Sequence, residues 1–347
     1  MKIAKINNRE QLYKGVLEYE KRIIDTALTD SAKKQYYGKR INIPKKGGSR
    51  GIYCVDSNTF LYEVQKSFAK NFLNNIPNSD AAHGFVKGKN YYSFLNAHVY
   101  PYSRISFLRL DIKDFFESIT SEMVRNSLDY YVSNDDPRMH DEVLNIMTDI
   151  VCYEGRLIQG SPTSPAISNI VFRPVDIRIE RYCMSQGVVY SRYADDLLFS
   201  SISGTQLSER FISGIKAILK DNHFRLNLQK TIRSVDYISL KGFVIEGQIR
   251  LSRKKTKSIR QVLYFLEKNR YENTNAWMSS FKEEMEGLGN DSAMDINNSY
   301  SLKNYLAGMR AFIISSIKES GDIYYKKRAA GIISRIEKQI DEIENKG

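Results

Sequence analysis

Two adjacent aspartates, Asp195 and Asp196, stand in Tyr193-Ala194-Asp195-Asp196 between the apolar runs Val188-Val189-Tyr190 and Leu197-Leu198-Phe199. Apolar arms around a short polar centre predict a β-hairpin with both acids at its tip. Like charges a few ångströms apart raise each other's pKa, so such a pair needs a cation to hold it. A third acid, Asp111, ends the strand-like run Ile105-Ser106-Phe107-Leu108-Arg109-Leu110, 84 residues earlier. If that strand lies beside the hairpin, the carboxylates converge as hard oxygen ligands with open positions for substrate phosphates, the set Mg2+ prefers. Two such ions about 3.5–4 Å apart activate an attacking hydroxyl and stabilise leaving pyrophosphate in an in-line displacement. That is the chemistry of a nucleotidyl transferase. The alternative is a solvated acidic turn, since an aromatic-x-Asp-Asp tetrapeptide arises by composition in about 5–10% of chains this long.

The elements around these acids are legible in outline. Leu12, Val16, Tyr19 and Ile23 lie at helical spacing within the first 30 residues. Two β-like runs flank Gly47-Gly48 in residues 41–53 and predict a hairpin with a basic tip. Residues 58–75 read as a helix, and Ala82-His83-Gly84-Phe85-Val86-Lys87-Gly88 as a loop. Thr120 is placed to cap a helix carrying Val124, Leu128 and Tyr131. Ser161-Pro162-Thr163-Ser164-Pro165 is a sharp turn, with Ser164 and Pro165 expected as cap and first residue of the next helix. From about residue 256 three apolar stripes predict a small helical bundle: Ile259/Val262/Leu263/Leu266, Leu302/Tyr305/Leu306/Met309 and Ile333/Ile336/Ile340/Ile343.

Charge adds a second line of argument. The 347 residues carry 52 Lys and Arg against 40 Asp and Glu, a formal +12, and 42% are apolar. This composition predicts a globular chain of about two domains and excludes a disordered or fibrous one. Residues 33–50 hold seven basic residues and residues 250–262 hold six, with no acid in either run. Together they exceed the whole surplus, so two short segments make an otherwise neutral chain basic. Such concentration suits a polyphosphate backbone, whose neutralisation releases counterions, although two solvated faces explain it equally well. Cys54, Cys152 and Cys183 lie far apart with no nearby His, which argues against a zinc site or disulfide framework. No apolar run approaches the ~20 residues of a membrane span, and Met1-Lys2-Ile3-Ala4-Lys5 lacks the apolar stretch of a secretory signal. A cytoplasmic protein is expected.

In order along the chain, Leu110-Asp111-Ile112-Lys113-Asp114-Phe115-Phe116, Gln159-Gly160-Ser161-Pro162-Thr163-Ser164-Pro165 and Tyr193-Ala194-Asp195-Asp196 resemble the palm of a reverse transcriptase. The resemblance implies an α+β right-hand polymerase fold. Its fingers, with an insertion before the palm, take 1–104. The palm, an antiparallel sheet packed on helices, takes 105–247 and includes finger segments near 120–158. A helical thumb takes 248–347 and grips the template–product duplex. Asp111, Asp195 and Asp196 would bind two Mg2+ ions, with Mn2+ a possible substitute. Phe116 would lie under the sugar of the incoming nucleotide and exclude a 2′-hydroxyl, favouring dNTPs; a core aromatic is the alternative. Gln159 and Gly160 would contact nucleotide and template. Lys230 would lie near the triphosphate as a proton donor to pyrophosphate. Arg50, with Lys45 or Lys46, would form the basic fingertip that clamps the triphosphate. For these basic residues a plain surface charge is the alternative.

Ala82-His83-Gly84-Phe85-Val86-Lys87-Gly88, followed by Asn96-Ala97-His98, resembles the region that bacterial retron reverse transcriptases carry between fingers and palm. The family binds a structured noncoding RNA and copies part of it from a guanosine 2′-hydroxyl into a branched RNA–DNA hybrid (msDNA). It acts in antiphage defence with an effector protein. Two departures stand out: the Asn-Ala to His spacing is short, and the Val-Thr-Gly expected near the thumb reads Leu240-Lys241-Gly242, which puts RNA specificity in question more than polymerisation. Arg253, Lys254, Lys255, Lys257 and Arg260 would open the first thumb helix, and over two turns they cannot all face one way. Tyr324, Lys326, Lys327 and Arg328 mix aromatic and basic groups that stack bases and hold backbones in RNA; an amphipathic helix with snorkelling lysines is the alternative. Rival functions are a group II intron-like or diversity-generating reverse transcriptase, and an RNA-binding scaffold whose polymerisation is secondary. A palm-domain cyclase or primase fits less well, because the Gln159 turn and the basic fingertip point to templated synthesis.

Overall fold

The computed structural model of the chain describes residues 5–37, 40–45, 48–100, 104–202, 207–290, 293, 295–318 and 320–345. Its contacts divide into two compact units, one of residues 1–94, 108–200 and 205–232, the other of 95–107, 201–204 and 233–347.

In the first unit, strands Val189–Tyr193, Asp196–Ser201 and Ser106–Asp111 lie side by side in that order. Asp196–Ser201 is the middle of the three and is buried at every position, so its run of Leu197, Leu198 and Phe199 reads as continuous rather than alternating. Helix Ser164–Ser185 presents Ile167, Ile170, Val171, Val175 and Ile179 to the core, the i, i+3, i+4 stripe of an amphipathic helix. Helix Glu209–Asp221 does the same with Phe211, Ile215 and Leu219, started by Ser208, whose hydroxyl accepts from the Phe211 N–H. One hydrophobic core runs from Ile6 through Phe68 and Val143 to Phe224, so the segments expected as fingers and palm share a single interior.

Several expected elements appear with shifted ends. The first 30 residues are not one helix. A π-helix, Gln11–Leu17, stops at Glu18, whose φ of 65° is left-handed, and helix Lys21–Ala27 then restarts with Ile24 buried and Ile23 exposed. The basic hairpin forms as Arg40–Lys45 paired antiparallel with Gly48–Tyr53, so Gly48 opens the second strand; Lys46 and Gly47 lie outside the described residues. Helix Phe60–Asn71 is capped by Thr59 and gives way to a 3-10 turn over Leu73–Asn75. Thr120 caps helix Ser121–Asp129, accepting from the Met123 N–H. Ser164 is the first residue of its helix and not the cap, because its hydroxyl turns back to the Ile158 carbonyl and leaves Thr163 as the flanking residue.

Among its described residues the second unit joins a three-stranded antiparallel sheet to four long helices. Strand Phe243–Ile245 pairs with Ile238–Leu240 on one side and Ile249–Leu251 on the other. Lys241 and Gly242 make the two-residue turn, both with positive φ (44° and 91°), the backbone of a type I′ hairpin. The departure Leu240-Lys241-Gly242 is therefore a tight turn that needs glycine at its second position. Helices Arg253–Lys268, Asn275–Gly287, Ser299–Lys318 and Ile323–Glu344 enclose their own core, in which Ile259, Val262, Leu263, Leu302, Leu306 and Ile336 are fully buried. All three apolar stripes contribute to it.

Candidate active site

Asp111 ends its strand 2% exposed, and its neighbour Ile112 donates its N–H to the Asp195 carbonyl at 2.9 Å. That bond lays the end of the Asp111 strand against the acidic hairpin. The hairpin itself is tight: Tyr193 pairs with Asp196, which leaves Ala194 and Asp195 as the two-residue loop, with Ala194 at φ 56°. On the other side the Asp111 carbonyl accepts from the Asn227 N–H at 2.7 Å, which seats Leu226-Asn227-Leu228-Gln229-Lys230 along the same strand end.

Cations meet the acids here. Lys230 Nζ donates to both Asp111 oxygens, at 2.9 and 3.0 Å. Arg109, two residues before Asp111 and hence on the same strand face, donates from Nη2 to Asp111 Oδ2 at 3.2 Å and also to Asp196 Oδ1. Its Nη1 donates to the Lys230 carbonyl at 3.0 Å. Oxygens of two carboxylates thus converge on one cationic nitrogen, with Asp195 next in the chain. Among the described residues no group of three or more His, Cys, Asp or Glu side chains is arranged to hold a metal ion. The chemistry of the donors nonetheless fits a hard divalent cation, since two oxygens already share a positive atom.

The remaining expected residues are placed as follows. Phe116 is half-buried at the edge of the core, its ring 6.0 Å from Phe85 and 5.4 Å from Phe115, so one part of the ring stays accessible. Gln159 Oε1 is buried without a hydrogen-bond partner among the described residues. Gly160 has φ +93° and lies so close to Cys54 that an added Cβ would come within 2.5 Å of its sulfur, so the turn requires glycine. Ser161 Oγ fastens this turn by donating to Gln65 Oε1 at 2.7 Å, and Gln65 Nε2 donates on to Tyr37 and the Ile150 carbonyl. Of Lys45 and Arg50 only the backbone pairing of the hairpin is described, opposite Gly48 and Ile43 respectively.

In the second unit a cavity of about 820 Å3 brings together Arg253, Lys257, Arg260, Tyr324 and Arg328, from two helices. Arg250 and Tyr264, absent from the sequence-based set, line it as well. Lys254, Lys326 and Lys327 are not among its lining residues. Lys255 packs over the Phe312 ring at 5.5 Å, where burial lowers its pKa.

A further network at the hairpin, centred on Arg192, was not foreseen. Arg192 is fully buried, and its Nε and Nη2 make a bidentate pair with Asp176 at 2.8 and 2.7 Å. Nη2 also reaches Asn169 Oδ1 at 3.0 Å, and Nη1 reaches the Ala194 carbonyl in the acidic loop at 3.2 Å. The guanidinium lies 4.7 Å from the Phe172 ring centre. Around it, Arg192 N donates to the Ala81 carbonyl and His83 N to the Arg192 carbonyl. Gly84 packs so tightly that a Cβ would meet Ala194 N at 2.6 Å. Ala82–Gly84, the start of the segment expected as a loop and as the retron-type region before the palm, thus backs the acidic turn together with Ala81. The signals were present: a charge inside the hairpin's buried arm at Arg192, and an acid on the buried stripe of a helix at Asp176.

His83 belongs to this backing, with Nδ1 2.8 Å from Ser93 Oγ. Burial, followed by the charges of Lys89 and Arg192, pushes its pKa down to about 4 from 6.5. Because the folded value is lower, the unfolded chain binds more protons between these values; the contribution of neutral His83 is full above pH 6.5 and is lost as pH falls toward 4. His83→Gln should therefore lose less thermal stability than the parent between pH 6.5 and 4, measured as melting temperature against pH. Parallel curves would mean that His83 does not titrate there.

A strand-end carboxylate, an acidic hairpin and a lysine on one of the acids are thus brought together at one end of the sheet. The reverse transcriptase (RNA-dependent DNA polymerase) family profile matches residues 43–262, and the chain belongs to that family. Its curated relatives include bacterial retron enzymes. It is 28% identical over 248 residues to the retron Ec86 reverse transcriptase of Escherichia coli, covering 68% of this chain and 73% of that one. It is 30% identical over 237 residues to the retron Mx65 reverse transcriptase of Myxococcus xanthus, covering 64% of this chain and 54% of that one. The chain thus spans about half the length of the second relative and nearly three quarters of the first. Among solved structures, apo telomerase from Candida tropicalis, truncated from the C-terminal domain, superposes with a TM-score of 0.44 at 14% identity, over 63% of this chain and 55% of that one.

Proposed function

We propose that this RNA-directed DNA polymerase of the reverse transcriptase family copies part of a bound, structured noncoding RNA into a branched RNA–DNA hybrid, as a retron enzyme. The observation that carries the reading is the meeting of Asp111 with Asp196 at one cationic atom, beside Lys230, within the family's matched region. In this reading residues 1–104 serve as fingers, 105–247 as palm and 248–347 as thumb. Asp111, Asp195 and Asp196 hold two Mg2+ ions, or Mn2+ in their place, which supply the charge that activates a hydroxyl and neutralises pyrophosphate. Lys230 stands on Asp111 and donates a proton to the leaving group. Gln159 offers its unpartnered buried carbonyl to the nucleotide or template, and Lys45, Lys46 and Arg50 meet the triphosphate.

The thumb cavity supports the RNA side of the reading. Arg253, Lys257 and Arg260 meet phosphates there, while Tyr324 and Tyr264 supply stacking surfaces. A cytoplasmic setting, an effector protein and a role in antiphage defence complete the proposal by likeness to retron systems; among the described residues no helix is long and apolar enough to cross a membrane. The deciding experiment is to purify the protein with its bound nucleic acid and sequence it. A defined RNA joined covalently to DNA through a 2′-hydroxyl is expected. Unbranched or heterogeneous RNA with no attached DNA would overturn the retron reading, and failure to extend a primer on an RNA template would overturn the polymerase reading.

Sugar selection gives a separate test. With part of the Phe116 ring accessible and Phe85 and Phe115 packed beside it, the ring is held in place as a wall rather than free to swing aside. Phe116→Val should raise incorporation of rNTPs relative to dNTPs by at least about tenfold in primer extension, the scale of a few missing carbons in a fitted pocket. An unchanged ratio would remove the gate.

A further inference from the structure

We propose that Arg109 is a built-in counter-cation that holds the active-site carboxylates in the absence of metal, and that it must release Asp111 before a divalent ion can bind there. This rests on the metal-site reading above. Nη2 of Arg109 serves Asp111 Oδ2 and Asp196 Oδ1 at once, which is the bridging place between two acids. The side chain is 14% exposed, and its other terminal nitrogen is tied to the Lys230 carbonyl.

Lys230 also touches Asp111, but the two cations differ in how easily they yield. Lys230 is 43% exposed at its side chain, and its flexible stem ends in an ammonium that swings into water at little cost. Arg109 has less freedom. It is enclosed and pinned at both terminal nitrogens, and its guanidinium is a rigid planar fork. An incoming cation therefore meets a fixed positive charge at the oxygens it needs, and only movement of Arg109 relieves the repulsion. Arg109 acts here as a positioning residue: it neutralises acids that would otherwise repel one another, and it sets the affinity of the site for metal. Metal alone then loads poorly.

The test measures metal binding to the nucleic-acid-free full chain, with Mn2+ as the probe and electron paramagnetic resonance as the readout. Arg109→Gln should tighten Mn2+ binding at least about tenfold by removing one unit of opposing charge, whereas Arg109→Lys should stay within about threefold of the parent. Arg109→Gln within twofold of the parent, while Asp111→Asn still weakens binding, would overturn the role of Arg109 alone. Mn2+ binding that ignores Asp111→Asn would overturn the metal reading and this proposal with it. A second measurement uses the unaltered protein, so the outcome does not depend on the variant folding: nuclear magnetic resonance of the Arg109 side chain, assigned by loss of its signal in Arg109→Lys, during Mg2+ titration. The signal should shift in step with saturation. A signal that stays fixed through saturation would overturn the proposal.

Discussion

Asp195→Asn should lower primer extension on an RNA template by about 10³-fold or more while leaving RNA binding within about twofold, the loss expected when one pre-placed charge is taken from an electrostatic site. The substitution is close to isosteric, and Asn keeps the backbone bond in which the Ile112 N–H donates to the residue-195 carbonyl. The loop Ala194-Asp195 is also fixed from behind, by the Arg192 bond to the Ala194 carbonyl and the close packing of Gly84 on Ala194. A fold effect should therefore be small, and the melting temperature should stay within a few degrees. Steady extension by Asp195→Asn would remove this residue from the catalytic set; loss of RNA binding together with extension would mean that the change disturbs more than the acid. Asp196→Asn should behave differently. It weakens an ion pair with Arg109 as well as the acid itself, so it should lower stability along with activity.

What the sequence disclosed and what it hid follow from the range of the interactions. Features set by neighbours in the chain were legible: the acid at the end of the Asp111 strand, the hairpin around Ala194-Asp195, the Thr120 cap and the stripes of the C-terminal bundle all depend on residues a few positions apart. The misplaced helix start at Ser164 shows the limit, since a serine before proline is a good cap unless its hydroxyl finds another partner, here the Ile158 carbonyl. Contacts across long stretches were invisible. Gln65 holds Ser161 across 96 residues, and Arg109 approaches Asp196 across 87, neither of which any local pattern encodes. Lys255 illustrates the same point in the second unit: within a basic run it reads as a nucleic-acid contact, whereas its side chain packs over the Phe312 ring. The +12 excess is thus partly structural, and the share of the second run that faces one cavity is Arg250, Arg253, Lys257 and Arg260.

Arg192→Met should destabilise the first unit by about 3–5 kcal/mol, the cost of leaving a buried carboxylate without its partner. Asp176 is fully buried and would keep only the Tyr190 hydroxyl, which donates at 2.8 Å, as its described donor. For a unit of about 200 residues this corresponds to a melting temperature lower by about 6–20 °C. Removing the second charge should return much of that loss: Arg192→Met with Asp176→Leu leaves unpaired neutral groups, Tyr190 and Asn169, but no stranded ion, and should be at most half as damaging as the single change rather than additive with Asp176→Leu. The pair thereby separates the burial of charge from the loss of packing. Activity should not return in step with stability, because neither variant restores the Nη1 donor to the Ala194 carbonyl that steadies the acidic loop. A double variant that melts normally yet extends primers poorly would show Arg192 acting on the geometry of Asp195 and Asp196; full activity in it would reduce Arg192 to a structural ion.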